Sequence, residues 1–302
     1  MTGNNFAAMM KSKVEMAKQM SEEDKVFRYK GILYPLIVCP ESHLKALEGF
    51  KAREDDVVLV AYPKCGFNWM VGVLRKIISE VAGVKADGNG APPLIEFMGP
   101  EGVQAAEQAP APRLLGTHLH PDNIPASFYQ TKAKMLVIFR NPKDTAVSFF
   151  HFNNNNPVLQ SEPSWDTFFS KFMSGDVPWG SYFDHALSWD KKMDDPNVMV
   201  VTFEELKKEL AQGIRQISSF FGFQLTEAQV QQIEHDSTFS AMRSSATASH
   251  GNMGNVFFRK GEVGDWKNHF SPEQSREMDE AFNKHLAGTR LGAKLDYQLH
   301  CQ

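Results

Sequence analysis

Apolar and polar residues follow two different periods along this chain. Short apolar, β-branched runs stand at 57–62 (VVLVAY), 134–140 (KMLVIFR) and 197–203 (NVMVVTF). Runs of this length and composition read as buried strands. RLLGTHL at 113–119 reads as a further short strand that runs into polar residues. Between these lie helical patterns: 68–83, closed by Gly83, then 141–152, where the turn NPKD opens a helix, then 204–222. Two later helices announce their starts with capping boxes. In one, Thr226 stands three residues before Gln229; in the other Ser271 is the cap, Pro272 takes the first helical position and Gly288 follows the end.

Strands alternating with helices of this length predict βαβ units and a mostly parallel sheet flanked by helices. No internal repeat and no composition break divides the chain. The reading is one α/β domain over 27–302, preceded by an N-terminal helical arm over 1–26, where Met9, Val14 and Met20 recur among charges from residue 8 onward. DGNGAPP (87–93) is expected to be a loop. FNNNNPVL (152–159) and RSSATASHGNMGNVF (243–257) are expected to be mobile, as loops this long in a compact domain are either disordered or lids over a site.

Composition narrows the function. At 302 residues with 42% hydrophobic and 23% charged positions, the chain has ample material for a core. A formal net charge of -4 argues against a nucleic-acid partner, so any anion site has to be built locally. Three scattered cysteines, Cys39, Cys65 and Cys301, offer no zinc spacing and fit a reducing compartment. The N-terminus lacks the continuous apolar core of a secretory signal, and no run nears the roughly 18 apolar residues of a membrane span. A soluble cytoplasmic protein is expected.

Three segments carry candidate chemistry. At YPKCGFN (62–68) a buried strand meets a helix, and in open parallel sheets ligands bind beyond the carboxyl ends of strands. Helix N-termini there favour phosphate or sulfate; Gly66 lets backbone approach an anion and Lys64 adds a point charge. The spelling is neither GxxxxGK[ST] nor GxGxxG, so the cradle suits an anion other than magnesium–ATP. The competing reading is a surface turn with an incidental lysine. At VIFRNPKDTAVS, Arg140 ends a strand and Ser148 follows within the next helix; a strand-end arginine suits bidentate phosphate contact, or equally a salt bridge. The third segment, FFRKGEVGDWKNHF (257–270), forms a basic turn at Arg259, Lys260 and Gly261 with Trp266 beyond.

Together these segments resemble the cytosolic sulfotransferases. That family's first nucleotide loop reads approximately YPKSGTTW, against Tyr62 through Trp69 here. Its RNPKD…S pattern matches Arg140 through Ser148, and RKGxxGDWKNxF matches Arg259 through Phe270, in order and spacing across roughly residues 30–290. The variants YPKCG and GTHLH are most similar to the sixth vertebrate branch.

The resemblance implies a sulfotransferase fold with a P-loop-like phosphosulfate-binding loop. It implies 3′-phosphoadenosine-5′-phosphosulfate (PAPS) as donor and 3′-phosphoadenosine 5′-phosphate (PAP) as product. Lys64 and the N–H groups of Cys65, Gly66, Phe67, Asn68 and Trp69 would hold the 5′-phosphosulfate, with Trp69 stacking on adenine. Arg140, Ser148, Arg259, Lys260 and Gly261 would hold the 3′-phosphate, with Ser237 and Phe203 near the adenine. The family's THLP pattern makes His118 the base, since an imidazole titrates near working pH; His120, His151 and His185 are expected to be structural. The implied mechanism is in-line displacement: His118 takes the acceptor proton, Lys64 stabilises charge on the leaving phosphate bridge, and Ser148 restrains Lys64 until an acceptor binds. No metal is implied. The acceptor would be a small hydrophobic alcohol, phenol or amine, with Phe149, Phe150, Phe152 and Trp179 as candidate walls and core packing as their competing role.

Several positions depart from the pattern. Cys65 replaces serine, as either a packed small side chain or a redox-sensitive thiol at a helix N-terminus. Phe67 and Asn68 replace hydroxyl residues, Gly116 stands where many members carry lysine, and Phe203 replaces tyrosine. The dimer motif KxxxTVxxxE keeps Lys267 but has Ser271, Pro272 and Arg276 at its other positions, so the usual dimer is not expected. These departures leave room for a PAPS/PAP-binding protein with little turnover. A small-molecule kinase is disfavoured by the missing Walker lysine–serine pair.

Overall fold

The computed structural model describes residues 3–83, 93–250 and 254–302. Four parallel strands form the central sheet: β3 Val57–Ala61, β4 Leu114–Thr117, β5 Lys134–Phe139 and β6 Val198–Thr202, in the order β4-β3-β5-β6. A small antiparallel hairpin, β1 Val26–Tyr29 and β2 Ile32–Pro35, turns at Lys30 and Gly31, both at positive φ as a tight hairpin turn requires. Helices cover the central sheet, so its apolar residues are buried: Val57, Leu59, Val60 and Ala61 of β3 and Leu136 to Phe139 of β5 are at most 1% exposed. Helix Phe67–Ala82 contributes Met70, Val73, Leu74 and Ile77 to the same core.

This order places the site. From β3 the chain goes to β4 on one side, then crosses to β5 on the other, so the order reverses at the carboxyl end of β3. That switch point is where parallel sheets leave a crevice. The register aligns Val60 with Thr117 and Val137, and Phe139 with Thr202. The residues that follow each strand, Tyr62, His118, Arg140 and Phe203, therefore emerge at one edge.

Several expectations need correction. The pattern over 204–222 is two helices, Phe203–Lys208 and Leu210–Phe221, broken at Glu209 (φ -136, ψ 60). The break folds Leu206 against Gly213, where a Cβ would meet it at 2.3 Å. The asparagine run is not a mobile loop: helix Pro142–Asn155 passes through it, and Val158 and Leu159 are buried. Asn154 ties that end to Glu162, donating to its carbonyl at 3.0 Å and accepting its N–H at 2.9 Å. Residues 243–257 are helical over Phe239–His250 and Gly254–Phe257, with 251–253 outside the described residues. The loop expected at 87–93 lies outside them except for Pro93. The first helix spans Gly3–Lys18 and stops before residue 26, because the chain turns there into the β1–β2 hairpin. The capping boxes at Thr226 and Ser271 form as expected; the helix from Ser271 ends at His285, two residues early, where Leu286 enters the core.

Candidate active site

The β3–helix junction is built for an anion. Gly66 caps the helix at φ +105, and a Cβ there would press on Phe203 at 3.0 Å and Ile138 at 3.1 Å. Lys64 also holds a left-handed conformation, φ 71, which costs a non-glycine residue about 1 kcal/mol and is held by its surroundings. The Cys65 N–H donates back to Tyr62 O and the Met70 N–H to Gly66 O, leaving those of Phe67, Asn68 and Trp69 as the free donors of a helix N-terminus.

The Lys64 ammonium has no anionic partner among the described residues. It sits 3.8 Å above the Phe152 ring, and Ser148, one helical turn earlier, makes no hydrogen bond to it. Desolvation first, then the charges of Arg140 and Arg259, bring it down to about 7. Arg140 lies 4.7 Å from the Phe203 ring centre, donates to Glu262 O at 2.7 Å, and leaves its buried Nε without a partner. Arg259 and Lys260 both bind Asp265 at 2.6 Å. Burial opposes ionisation of Asp265, but those two hydrogen bonds outweigh it and hold the carboxyl well below the usual carboxylate range. A free ammonium, an orphaned guanidinium nitrogen and open backbone donors fit a phosphate-bearing ligand.

Two acidic residues with no role in the sequence reading hold this geometry. Asp144 accepts the N–H groups of Gly264 at 2.8 Å and Trp266 at 3.0 Å, clamping the Arg259 turn to the Arg140 loop. Glu96, fully buried, accepts the His118 N–H at 2.8 Å and the Thr117 hydroxyl at 2.9 Å. Burial lifts the Glu96 carboxyl to about 7 against those bonds. Asp144 was signalled by its place in RNPKD. A lone glutamate in PPLIEFM carries no local signal.

His118 meets the geometry of a base. Its Nδ1 lies 2.7 Å from Ala61 O. A carbonyl only accepts, so Nδ1 carries the proton and the Nε2 lone pair is free. Burial lowers its pKa to about 4, the Ala61 bond acting against this and the Lys64 charge with it, so the ring is neutral at pH 7. Phe67 (4.7 Å between ring centres) and Trp179 (5.2 Å) fix the ring edge-on.

One cavity of about 1390 Å³ joins these parts, lined by Lys64, Gly66, His118, Arg140, Ser148 and Arg259 among others. Phe67, Asn68, Trp69, Phe152, Trp179, Phe203, Lys260 and Gly261 also face it. Trp69 donates to Ser237 O at 2.7 Å and meets Phe203 edge-on at 5.3 Å, which groups all three residues expected near adenine, although Ser237 is itself buried behind the wall. Phe149 is not in the lining; it is fully buried between Tyr62 and Phe168 and packs the core. Cys65 is also buried, beside Thr145 at 3.7 Å, and burial pushes its thiol up to about 12, which suits a packing role. Gly116 and Phe67 are one feature: a Cβ at Gly116 would strike the Phe67 ring at 2.4 Å. At the degraded dimer motif, Ser271 and Pro272 start a helix and Arg276 pairs with Glu273. No metal-ligating cluster occurs, and no helix is long and apolar enough to cross a membrane, among the described residues.

A sequence profile of the sulfotransferase domain matches residues 54–290. Sulfotransferase 6B1 of Danio rerio is 57% identical over 295 residues, covering 98% of this chain and 100% of that protein. Sulfotransferase 6B1 of Homo sapiens is 48% identical over 299 residues, covering 99% of this chain and 98% of that one. The crystal structure of mouse sulfotransferase SULT7A1 complexed with PAP is 35% identical, with a TM-score of 0.81, covering 90% of this chain and 99% of that one.

Proposed function

The chain belongs to the sulfotransferase family and is a PAPS-dependent sulfotransferase, and from that premise we propose that His118 is its general base and a small hydrophobic alcohol, phenol or amine its acceptor. The carrying observation is the Ala61–Nδ1 bond, which leaves Nε2 of a neutral, buried His118 open to the cavity.

PAPS supplies the sulfuryl group when bound and leaves as PAP. The free N–H groups of Phe67, Asn68 and Trp69, with Lys64, would hold its 5′ side. Arg140, Ser148, Arg259, Lys260 and Gly261 would hold the 3′-phosphate, and Trp69 and Phe203 would flank adenine, with Ser237 behind them. Among these the Arg140 Nε is a ready donor with no other partner. His118 Nε2 takes the acceptor's proton as its oxygen or nitrogen attacks. Lys64 places positive charge where the leaving group gains negative charge, a preorganised contribution of the oxyanion-hole kind. The Phe152 ring lies 3.8 Å beneath the Lys64 ammonium and supports it from the acceptor side. Phe97, Phe152 and Trp179 wall the acceptor side and exclude water. The protein acts in the cytoplasm, consistent with three buried free cysteines.

The test is transfer of radiolabelled sulfate from PAPS to a panel of phenols, alcohols and amines, with PAP affinity measured alongside. His118→Ala is expected to bind PAP like the wild type and to lose transfer by about 10²–10⁴-fold, the range for a lost acid–base group. Equal transfer by both proteins removes His118 as base. PAP binding by both with transfer by neither favours a nucleotide-binding protein with little turnover, the reading to which Phe67 in the space beside Gly116 would contribute.

A further inference from the structure

Phe67 is the first residue of helix Phe67–Ala82, and its backbone and side chain face different parts of the cavity. Its N–H is one of the open donors of the helix N-terminus beside Lys64. Its ring lines the cavity, is 4% exposed, and lies edge-on to His118 at 4.7 Å between ring centres. The ring can stand there because Gly116, in strand β4, has no side chain: a Cβ would meet Phe67 Cζ at 2.4 Å and Cε2 at 2.7 Å. Trp179 covers His118 from another side at 5.2 Å.

Apolar rings beside a base matter because water is itself a hydroxyl nucleophile. When a base takes a proton from water, the water oxygen bonds to sulfur and the bond from sulfur to the 5′-phosphate oxygen breaks. The products are inorganic sulfate and PAP, and no acceptor is consumed. A water held in a cavity needs about two to four polar partners. Around His118 the polar atoms are already committed: Nδ1 lies against Ala61 O, and Glu96 accepts the backbone N–H and the Thr117 hydroxyl. The ionisable groups facing the residue are Lys64, Glu96 and His185, and burial keeps His185 neutral. A water at Nε2 finds aromatic surface on two sides, and desolvation without compensating bonds is unfavourable.

Resting on the reading of His118 as base, we propose that Phe67 denies water to it, so that sulfuryl transfer waits for an organic acceptor and the donor is protected from hydrolysis. Phe67 acts through His118 and is a positioning residue. Its ring fills the space that Gly116 opens, offers water no hydrogen bond, and leaves the Nε2 lone pair to a ligand that brings its own apolar body.

The test compares the full wild-type chain with Phe67→Thr, which opens the space and adds a hydroxyl, and with Phe67→Leu, which keeps it apolar. The first readout is sulfate released from radiolabelled PAPS at saturating concentration without acceptor. The second is the NMR titration of the His118 ring in the nucleotide-free protein, assigned with His118→Ala. Phe67→Thr is expected to release sulfate about tenfold faster, the size of one recovered hydrogen bond, and to move the His118 midpoint up from about 4 by about 1–2 units, toward that of an exposed imidazole. Phe67→Leu, the conservative change, is expected to hold both effects to a small fraction of these. Should the threonine variant not fold, as read by its urea midpoint, Phe67→Ala takes its place. An unchanged release rate, an unmoved midpoint, or equal effects of leucine and threonine overturns the inference. Adding His118→Ala to Phe67→Thr separates it from the catalytic reading. Release that falls back upholds both; fast release that persists keeps Phe67 as the guard against water and removes His118 as base.

Discussion

Two lysines each follow a proline just beyond the end of adjacent strands, Lys64 after β3 and Lys143 after β5, and they end in opposite environments. Lys143 is fully buried, with its ammonium 2.7 Å from Ser275 Oγ, 2.8 Å from Cys301 O and 2.7 Å from Asp279, above the Trp266 ring at 4.2 Å. Lys64 has an aromatic ring beneath it and no anion. One lysine is saturated by the protein and fastens the C-terminal residues to the sheet. The other is held in a strained backbone conformation with its valence open. The comparison separates a paired lysine from an open one at two tripeptides, YPK and NPK, that look interchangeable in sequence.

Breaking the saturated side should act on stability. Lys143→Met removes the cation beside Asp279, which keeps only the Tyr297 hydroxyl among the described residues, and the donor to the Cys301 carbonyl, and a loss of about 3–5 kcal/mol is expected, read as a lowered midpoint in urea, with PAP affinity of the folded protein kept. Breaking the open side should act on chemistry. Lys64→Met is expected to lower sulfate transfer by about 10²–10³-fold while leaving the urea midpoint near wild type, since no internal ion pair is removed. A large stability loss in Lys64→Met, or none in Lys143→Met, would collapse the distinction.

A smaller effect concerns the space beside Gly116, which the Phe67 ring fills. Gly116→Lys, which restores the residue common in the family, is expected to cost about 1–3 kcal/mol through collision with Phe67, and Phe67→Thr to relieve it in the double variant. Additive costs in the double-mutant cycle would show that the two departures are unrelated. The smallest effect is a proton. Because Lys64 titrates near 7 in the free protein, and an anionic ligand raises the pKa of an ammonium beside it, PAP binding is expected to take up protons increasingly as pH rises through about 7. Calorimetry in buffers of different ionisation enthalpy reads this uptake, and Lys64→Met should abolish it.

Much of the fold was legible because its signals are local. The β-branched runs, the capping boxes at Thr226 and Ser271, and Gly66 and Gly83 at the two ends of one helix each reflect a rule spanning a few residues. The asparagine run misled for the same reason: its composition suggests a loop, but its helix is held by Asn154 reaching Glu162 and by burial of Val158 and Leu159. Phe149 and Phe152, one helical turn apart in the same aromatic stretch, could not be told apart by type; the first faces Tyr62 and the second faces Lys64.

The residues alone determined the alternation of strand and helix, the three anion-suited loops and, through family resemblance, the imidazole proposed as the base. Tertiary structure decided which cations stay unpaired, which tautomer His118 holds, that Glu96 braces it, and that the Phe67 ring covers it. The physical reason is that propensity and capping act over a few residues, whereas desolvation and charge pairing depend on partners set by the fold. The Lys143 ammonium pairs with Asp279 and donates to a carbonyl 158 positions away, and nothing within reach of a local pattern distinguishes it from Lys64.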